Sequence, residues 1–295
     1  MRKVLFWALA ILSPIFCLSG CSPKTPPIKT PLITPSVPVQ DPPAPPSAVV
    51  QPTPDDGDFV KLQRYLPDAV TDLRYATQNN FTDQKIYDFS DVYLRYGTVK
   101  KLMAVQDALK QKGLYLKVWD GFRPPAAQFK LWDICPDPTY VSDPNKGFSS
   151  HSRGNTVDIT LVYADGTEMV MPTGFDDFSK LADRDYSDCA PESASNARFL
   201  EQLMIEHGFK PYFGEWWHFS DKQSYSVEKS FEPTESICCY ANASLDLHTK
   251  PSINSDVIIS IPNGQPFQVT ATHGDFLLVE YGSLFGYVLQ KDVRP

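Results

Sequence analysis

The placement of its prolines limits what this chain can fold into more than any other feature. Twelve of the 27 fall within residues 21–57, a stretch of 37 residues that holds no aromatic side chain. Proline fixes φ and donates no backbone hydrogen bond, and this stretch has little apolar bulk to bury. It reads as a disordered, extended polyproline-like tether. A short leader precedes it, and the rest of the chain must supply every core. With 42% hydrophobic and 21% charged residues, the chain has the composition of a globular protein. A net charge of −8 excludes a nucleic-acid partner held by phosphate neutralisation.

In the leader, Arg2 and Lys3 precede an apolar run over residues 4–18. That run is shorter than the ~20 residues a bilayer crossing needs, so residues 1–20 are expected to be a secretory signal. The run Leu18-Ser19-Gly20-Cys21 resembles the lipobox of bacterial lipoproteins. The resemblance implies lipidation of Cys21, which then tethers the chain to a membrane. Ser22 replaces the aspartate that retains such proteins in the inner membrane, so an outer-membrane lipoprotein facing the periplasm is expected. Cys135, Cys189, Cys238 and Cys239 then lie where disulfides can form. Spacing does not give their connectivity, and a Cys135–Cys189 bridge is one option.

Residues 58–230 read as one α+β domain. Leu102, Val105 and Leu109 recur at helical spacing, with Gly113 placed to end the helix. Leu114, Leu116 and Val118 alternate as in a half-buried strand. Pro124 and Pro125 suit the start of a helix through Leu131. Residues 157–162 read as a strand, and Ser195 or Asn196 as the cap of a helix ending at Gly208. Residues 209–219 read as a hairpin or a strand pair. From residue 236 to 295 short apolar runs alternate with Asn-Gly, His-Gly and Tyr-Gly turns, the pattern of a small β-barrel.

Five histidines are present. His207 suits a helix C-terminus, and His248 and His273 fall in the β module. The other two keep unusual company. His151 and Asp158 stand seven apart around Gly154, which lets the chain turn before an apolar strand. Glu215 and His218 stand three apart in Gly214-Glu215-Trp216-Trp217-His218-Phe219, where burying charge is costly without a partner or a metal. Two histidines and a carboxylate make a three-ligand zinc site with one open position, and a further carboxylate could take a proton from water. Positions 215 and 218 would face opposite sides of a regular strand, so irregular backbone is expected there.

These runs occur in order with Asp72-Leu73-Arg74-Tyr75-Ala76-Thr77, Asn79-Asn80-Phe81, Trp119-Asp120-Gly121-Phe122-Arg123-Pro124 and Phe175-Asp176. Over roughly residues 58–225 the chain resembles the D-alanyl-D-alanine dipeptidases. The resemblance implies a zinc peptidase domain with a central antiparallel sheet and flanking helices. It implies one zinc held by His151, Asp158 and His218, with Glu215 as general base and later acid. It implies Arg123 on the scissile carbonyl, Asp176 on the substrate ammonium, and Ser149, Asn80 and Phe81 lining the pocket. Leu245-Asp246-Leu247-His248-Thr249-Lys250-Pro251-Ser252 with Gly286-Tyr287-Val288 resembles the bacterial SH3 domain. Phe276 replaces the tryptophan many members carry. That module is either a structural appendage or a peptidoglycan-binding unit.

The expected reaction is hydrolysis of D-Ala-D-Ala, for D-alanine salvage or wall peptide turnover. The alternative is a D,D- or L,D-carboxypeptidase or endopeptidase acting on peptidoglycan stems. A wall-binding protein with a dead site would have lost a ligand or the base, and neither is missing.

Overall fold

A computed structural model describes residues 49–293. The expected signal, Cys21 and most of the expected tether lie outside them. Two short strands, β1 (Phe59–Lys61) and β2 (Val70–Thr71), lead to β3 (Tyr93–Arg95), α1 (Tyr96–Lys110) and β4 (Leu114–Asp120). Then follow α2 (Pro125–Ile134), β5 (Thr156–Tyr163), α3 (Pro191–Glu206), β6 (Phe209–Tyr212) and β7 (Glu215–Asp221). The chain ends in β8 (Phe231–Tyr240), β9 (Leu245–His248), β10 (Val257–Ile261), β11 (Pro266–His273), β12 (Phe276–Tyr281) and β13 (Leu284–Leu289).

The central sheet has the order β2-β4-β5-β7-β6. All its pairs are antiparallel except β2 with β4. Strand β5 is its axis: Val157, Ile159 and Leu161 enter the main core, so alternation turns Asp158 to the other face. Leu102, Val105 and Leu109 of α1 are fully buried in the same core. α2 begins with Pro125 at its first turn, where a missing N–H costs nothing. α3 starts at Pro191, earlier than the expected cap, for the same reason. Ser195 and Asn196 lie inside it. His207 closes it, its Nδ1 2.8 Å from the Leu203 carbonyl.

Residues 49–57 depart from a disordered tether. Val49 packs on the core of the C-terminal module, and the Gln51 side chain accepts a hydrogen bond from Phe285 N at 2.8 Å. Asp55 and Asp58 share the Lys250 ammonium. The carbonyls of Asp58 and Asp56 accept the free N–H groups of Tyr96 and Gly97 at the start of α1. A valine, a glutamine and acidic groups give this end of the segment contacts that proline alone lacks.

The module is a six-stranded antiparallel sheet, ordered β10-β9-β13-β12-β11-β8, around Leu247, Ile261, Phe267, Val279 and Val288. Its first strand begins at Phe231, so the expected boundary at 236 falls inside β8. Phe276 is buried. Cys135, Cys189, Cys238 and Cys239 are free thiols, so the Cys135–Cys189 bridge is not formed.

Gly154 joins the turn at residues 150–153 to β5, with φ of +74°. A Cβ there would meet the Phe59 ring at 2.4 Å. Gly154→Ala therefore combines left-handed strain with a clash against a buried ring. It should cost about 2–5 kcal/mol, read as a lower urea midpoint at unchanged m-value.

Candidate metal centre and active site

Strand pairing assembles the centre. Asp158 on β5 lies directly opposite His218 on β7. His151 comes from the 3-10 turn that Gly154 feeds into β5. His151 Nε2 stands 3.2 Å from Asp158 Oδ2 and 3.3 Å from His218 Nδ1, and His218 Nδ1 is 3.0 Å from Asp158 Oδ1. Asp158 and His151 are 3% and 2% exposed, so water does not separate these groups.

Their protonation decides what the arrangement can hold. His151 Nδ1 lies 2.8 Å from the Gly121 carbonyl, which can only accept, so that nitrogen carries the proton. In the neutral ring Nε2 then presents a lone pair to a carboxylate. Asp158 Oδ1 makes no hydrogen bond of good geometry. Acceptors facing one another in a buried site call for a cation. Ligand atoms around a tetrahedral zinc stand about 3.3 Å apart, which the three separations match. Ser150 Oγ, 3.2 Å from His218 Nε2, steadies the second ring. Without a metal, a proton can stand in for that cation: burial opposes charge on His151, but Asp158 and Asp120 push its pKa upward. Burial alone would raise the Asp158 carboxyl, but His151 and His218 hold it far below the usual carboxylate range.

The expected irregularity sits in β7. Tyr212 pairs with Glu215, but Pro211 pairs with Phe219, so residues 216–218 have no partners on β6. This bulge brings the Glu215 carboxylate within 3.4 Å of His218 Nδ1. Trp216 and Trp217 fill the core behind it, with rings 5.5 Å apart. Burial pushes the Glu215 pKa up, Asp158 adds to that, and His218 opposes it.

Arg123 is held on every side. Its Nη2 donates to Asp120 Oδ2 at 2.7 Å, its Nη1 to Gln128 Oε1 at 3.1 Å and its Nε to Tyr87 Oη at 3.2 Å. The guanidinium lies over the Tyr75 ring, 4.9 Å from its centroid. Tyr75 Oη in turn donates to Asp176 Oδ2 at 2.7 Å. Burial pushes the Asp176 pKa up to about 8, with the nearby Asp158 charge adding to the effect and the Tyr75 hydrogen bond opposing it.

A cleft of about 240 Å³ exposes His151, Asp158, His218, Glu215, Arg123 and Asp176 together with Ser149. Asn80 and Phe81 are not on its wall. The Asn80 amide spans its own loop, donating to the Thr77 and Gln84 carbonyls and accepting from Thr82. Phe81 backs Phe178, a wall residue, at 5.3 Å. Tyr75 and Asp120 stand inside runs that carry the resemblance, and Ser150 stands between Ser149 and His151, but nothing in the sequence points to their roles here. Tyr140, Phe178 and Tyr212 also line the cleft and carried no signal in the sequence.

The chain matches the family model described as D-Ala-D-Ala dipeptidase over residues 55–236, and that of the bacterial SH3 domain over residues 243–294. It is 34% identical over 172 residues to a D-alanyl-D-alanine dipeptidase of Escherichia coli K12, covering 58% of this chain and 89% of that protein. Proteins of the same name from Enterococcus faecalis and Streptomyces coelicolor are 32% and 31% identical. Those matches cover 55% and 60% of this chain, and 90% and 97% of the relatives.

In the metal-free chain Asp176 generates a pH dependence of known sign. The folded carboxyl keeps its proton up to about pH 8, whereas the unfolded one releases it near 4. The group therefore makes the fold less stable as pH rises through that window. Asp176→Asn keeps an acceptor for Tyr75 but cannot ionise. Urea midpoints in chelator should fall from pH 5 to 8 more steeply for wild type than for this variant.

Proposed function

The chain belongs to the D-Ala-D-Ala dipeptidase family, and from that membership we propose that it is a zinc-dependent hydrolase of the D-Ala-D-Ala dipeptide. The observation that carries this reading is the shared cleft. One wall offers the convergent atoms of His151, Asp158 and His218 beside Glu215, and the same space is bordered by Arg123 and Asp176.

His151 Nε2, His218 Nδ1 and an Asp158 oxygen would hold the zinc. Bound there, zinc supplies Lewis-acid polarisation and acidifies water. Glu215 is the general base: its carboxylate takes a proton from the attacking water and returns it to the leaving amine. Arg123, fixed by Asp120, Gln128 and Tyr87, is aimed at the charge that develops on the scissile carbonyl oxygen and cannot lose its own. A guanidinium already locked by three partners needs no reorganisation during the reaction. Asp176 receives the substrate ammonium. A buried carboxyl held neutral when alone becomes a carboxylate when that cation docks, which favours a short substrate with a free amino end over a long peptide. Ser149 borders the same space.

The same proposal extends to the envelope. Leu18-Ser19-Gly20-Cys21 and Ser22 support lipidation at Cys21 and an outer-membrane position facing the periplasm. There the enzyme would recover D-alanine from wall turnover, and peptidoglycan is the proposed partner of the SH3-like module. Labelled palmitate should enter the wild type and not Cys21→Ser. Co-sedimentation of the full chain with purified sacculi checks the module.

With zinc restored, residues 21–295 should release D-alanine from D-Ala-D-Ala. Glu215→Ala should lose about 10²–10⁴-fold in kcat while retaining its zinc. Asp176→Asn should raise KM for the dipeptide about 10–100-fold, the worth of a buried charge-assisted contact. Release from a pentapeptide stem with none from the dipeptide would replace this reading with a carboxypeptidase.

A further inference from the structure

The segment that carries Arg123 is short, and every residue in it has a separate task. Asp120 pairs with Arg123, and the Gly121 carbonyl fixes the His151 tautomer. Between them and Arg123 stands Phe122, which is 1% exposed and belongs to a different aromatic cluster from the main core. Its ring lies 4.6 Å from Phe59 and 5.7 Å from Phe231. Phe59 and Phe231 stack nearly parallel at 4.3 Å, and Tyr93 meets Phe231 edge-on at 5.3 Å.

Phe231 is fully buried and opens β8, where it pairs with His273 of β11. It is thus the point at which the C-terminal module enters the back of the active site. Ala271, Leu278 and Tyr287 of the module close the same cluster. A second link runs beside it. Glu228 N donates to the Ser152 carbonyl at 2.8 Å, next to His151. The Glu228 carboxylate takes Arg95 at 3.1 Å, and Arg95 Nε donates to the Arg153 carbonyl.

We propose that Phe231 is a positioning residue for catalysis: through Phe122 it holds the Arg123 segment in register with the metal centre, so the module completes the active site from behind. The inference rests on the role given to Arg123 above. Close packing makes it specific. A cavity where Phe231 stood would let the Phe122 ring and the attached backbone relax. A displacement of about 1 Å at an oriented catalytic group costs up to about 100-fold in rate. The main core does not include this cluster, so the change is felt at Arg123 before it is felt by the fold as a whole.

The test compares wild type, Phe231→Ala and Phe231→Leu in residues 21–295, with two independent readouts. Amide exchange at Phe122 and Arg123 reports the segment, because their N–H groups donate to the Tyr93 and His151 carbonyls. Kinetics with D-Ala-D-Ala report the reaction. Phe231→Ala should speed both exchanges about tenfold or more and lower kcat about 10–100-fold, with KM within about twofold and zinc content unchanged. Phe231→Leu should recover most of the loss. On an Arg123→Lys background, Phe231→Ala should cost less than about twofold, because the group it positions is already gone. Wild-type exchange and kcat in folded Phe231→Ala would overturn the proposal, as would an equal cost on both backgrounds. Should Phe231→Ala fail to fold, Phe231→Leu carries the comparison: partial loss through Arg123 supports the proposal, and none overturns it. If the wild type releases no D-alanine, the proposed function fails, and the exchange rates alone decide this inference.

Discussion

A buried carboxylate shared between two imidazoles sets the terms for the rest of this protein. Asp158 meets His218 across an antiparallel pair and His151 from a tight turn, with nitrogen and oxygen atoms 3.0–3.3 Å apart and almost no solvent. A charged group there is tolerable only if its neighbours answer it. The surrounding design follows from that need. Gly121 fixes the Nδ1 proton of one ring, Ser150 steadies the other, and β5 alternates so that Val157, Ile159 and Leu161 enter the core while Asp158 turns to the site.

The second layer is aromatic. Trp119, Trp216 and Phe175 pack behind the sheet, and the tryptophan pair fills the bulge that turns Glu215 back toward His218. A three-residue interruption in a strand is tolerable when large side chains occupy the space it creates. Polar groups are then placed by covalent geometry: Glu215 and His218 flank the two tryptophans that anchor them. Tyr75 joins the layers, stacking under Arg123 with its ring while its hydroxyl engages Asp176.

Much of this was legible in the chain. The convergence of His151, Asp158 and His218 could be read because these residues are chemically distinctive, few in number and close to glycines. The strand irregularity at Glu215 and His218 followed from a parity argument alone. α3 starts ahead of its expected cap: Ser195 and Asn196 are good caps in isolation, but Pro191 with small buried Ser193, Ala194 and Ala197 begins the helix earlier. Asn80, which the resemblance puts on the pocket wall, instead satisfies its own loop with its amide, and that depends on turn geometry that spacing does not encode. Residues 49–57 looked like spacer because their partners, Phe285 and Lys250, lie about two hundred residues away.

The sequence by itself determined the order of the two folded modules, and it singled out His151, Asp158, Glu215 and His218 as residues that could act together, since these depend on residue chemistry and on the runs that resemble the family. Tertiary structure alone decided which groups surround Arg123, how Asp176 comes to be buried against Tyr75, and that β8 starts at Phe231 inside a cluster shared with the peptidase domain. Those outcomes come from packing between segments far apart in the chain. Apolar side chains of equal hydrophobicity are interchangeable in a pattern, but not in a close-packed interior where shape selects neighbours.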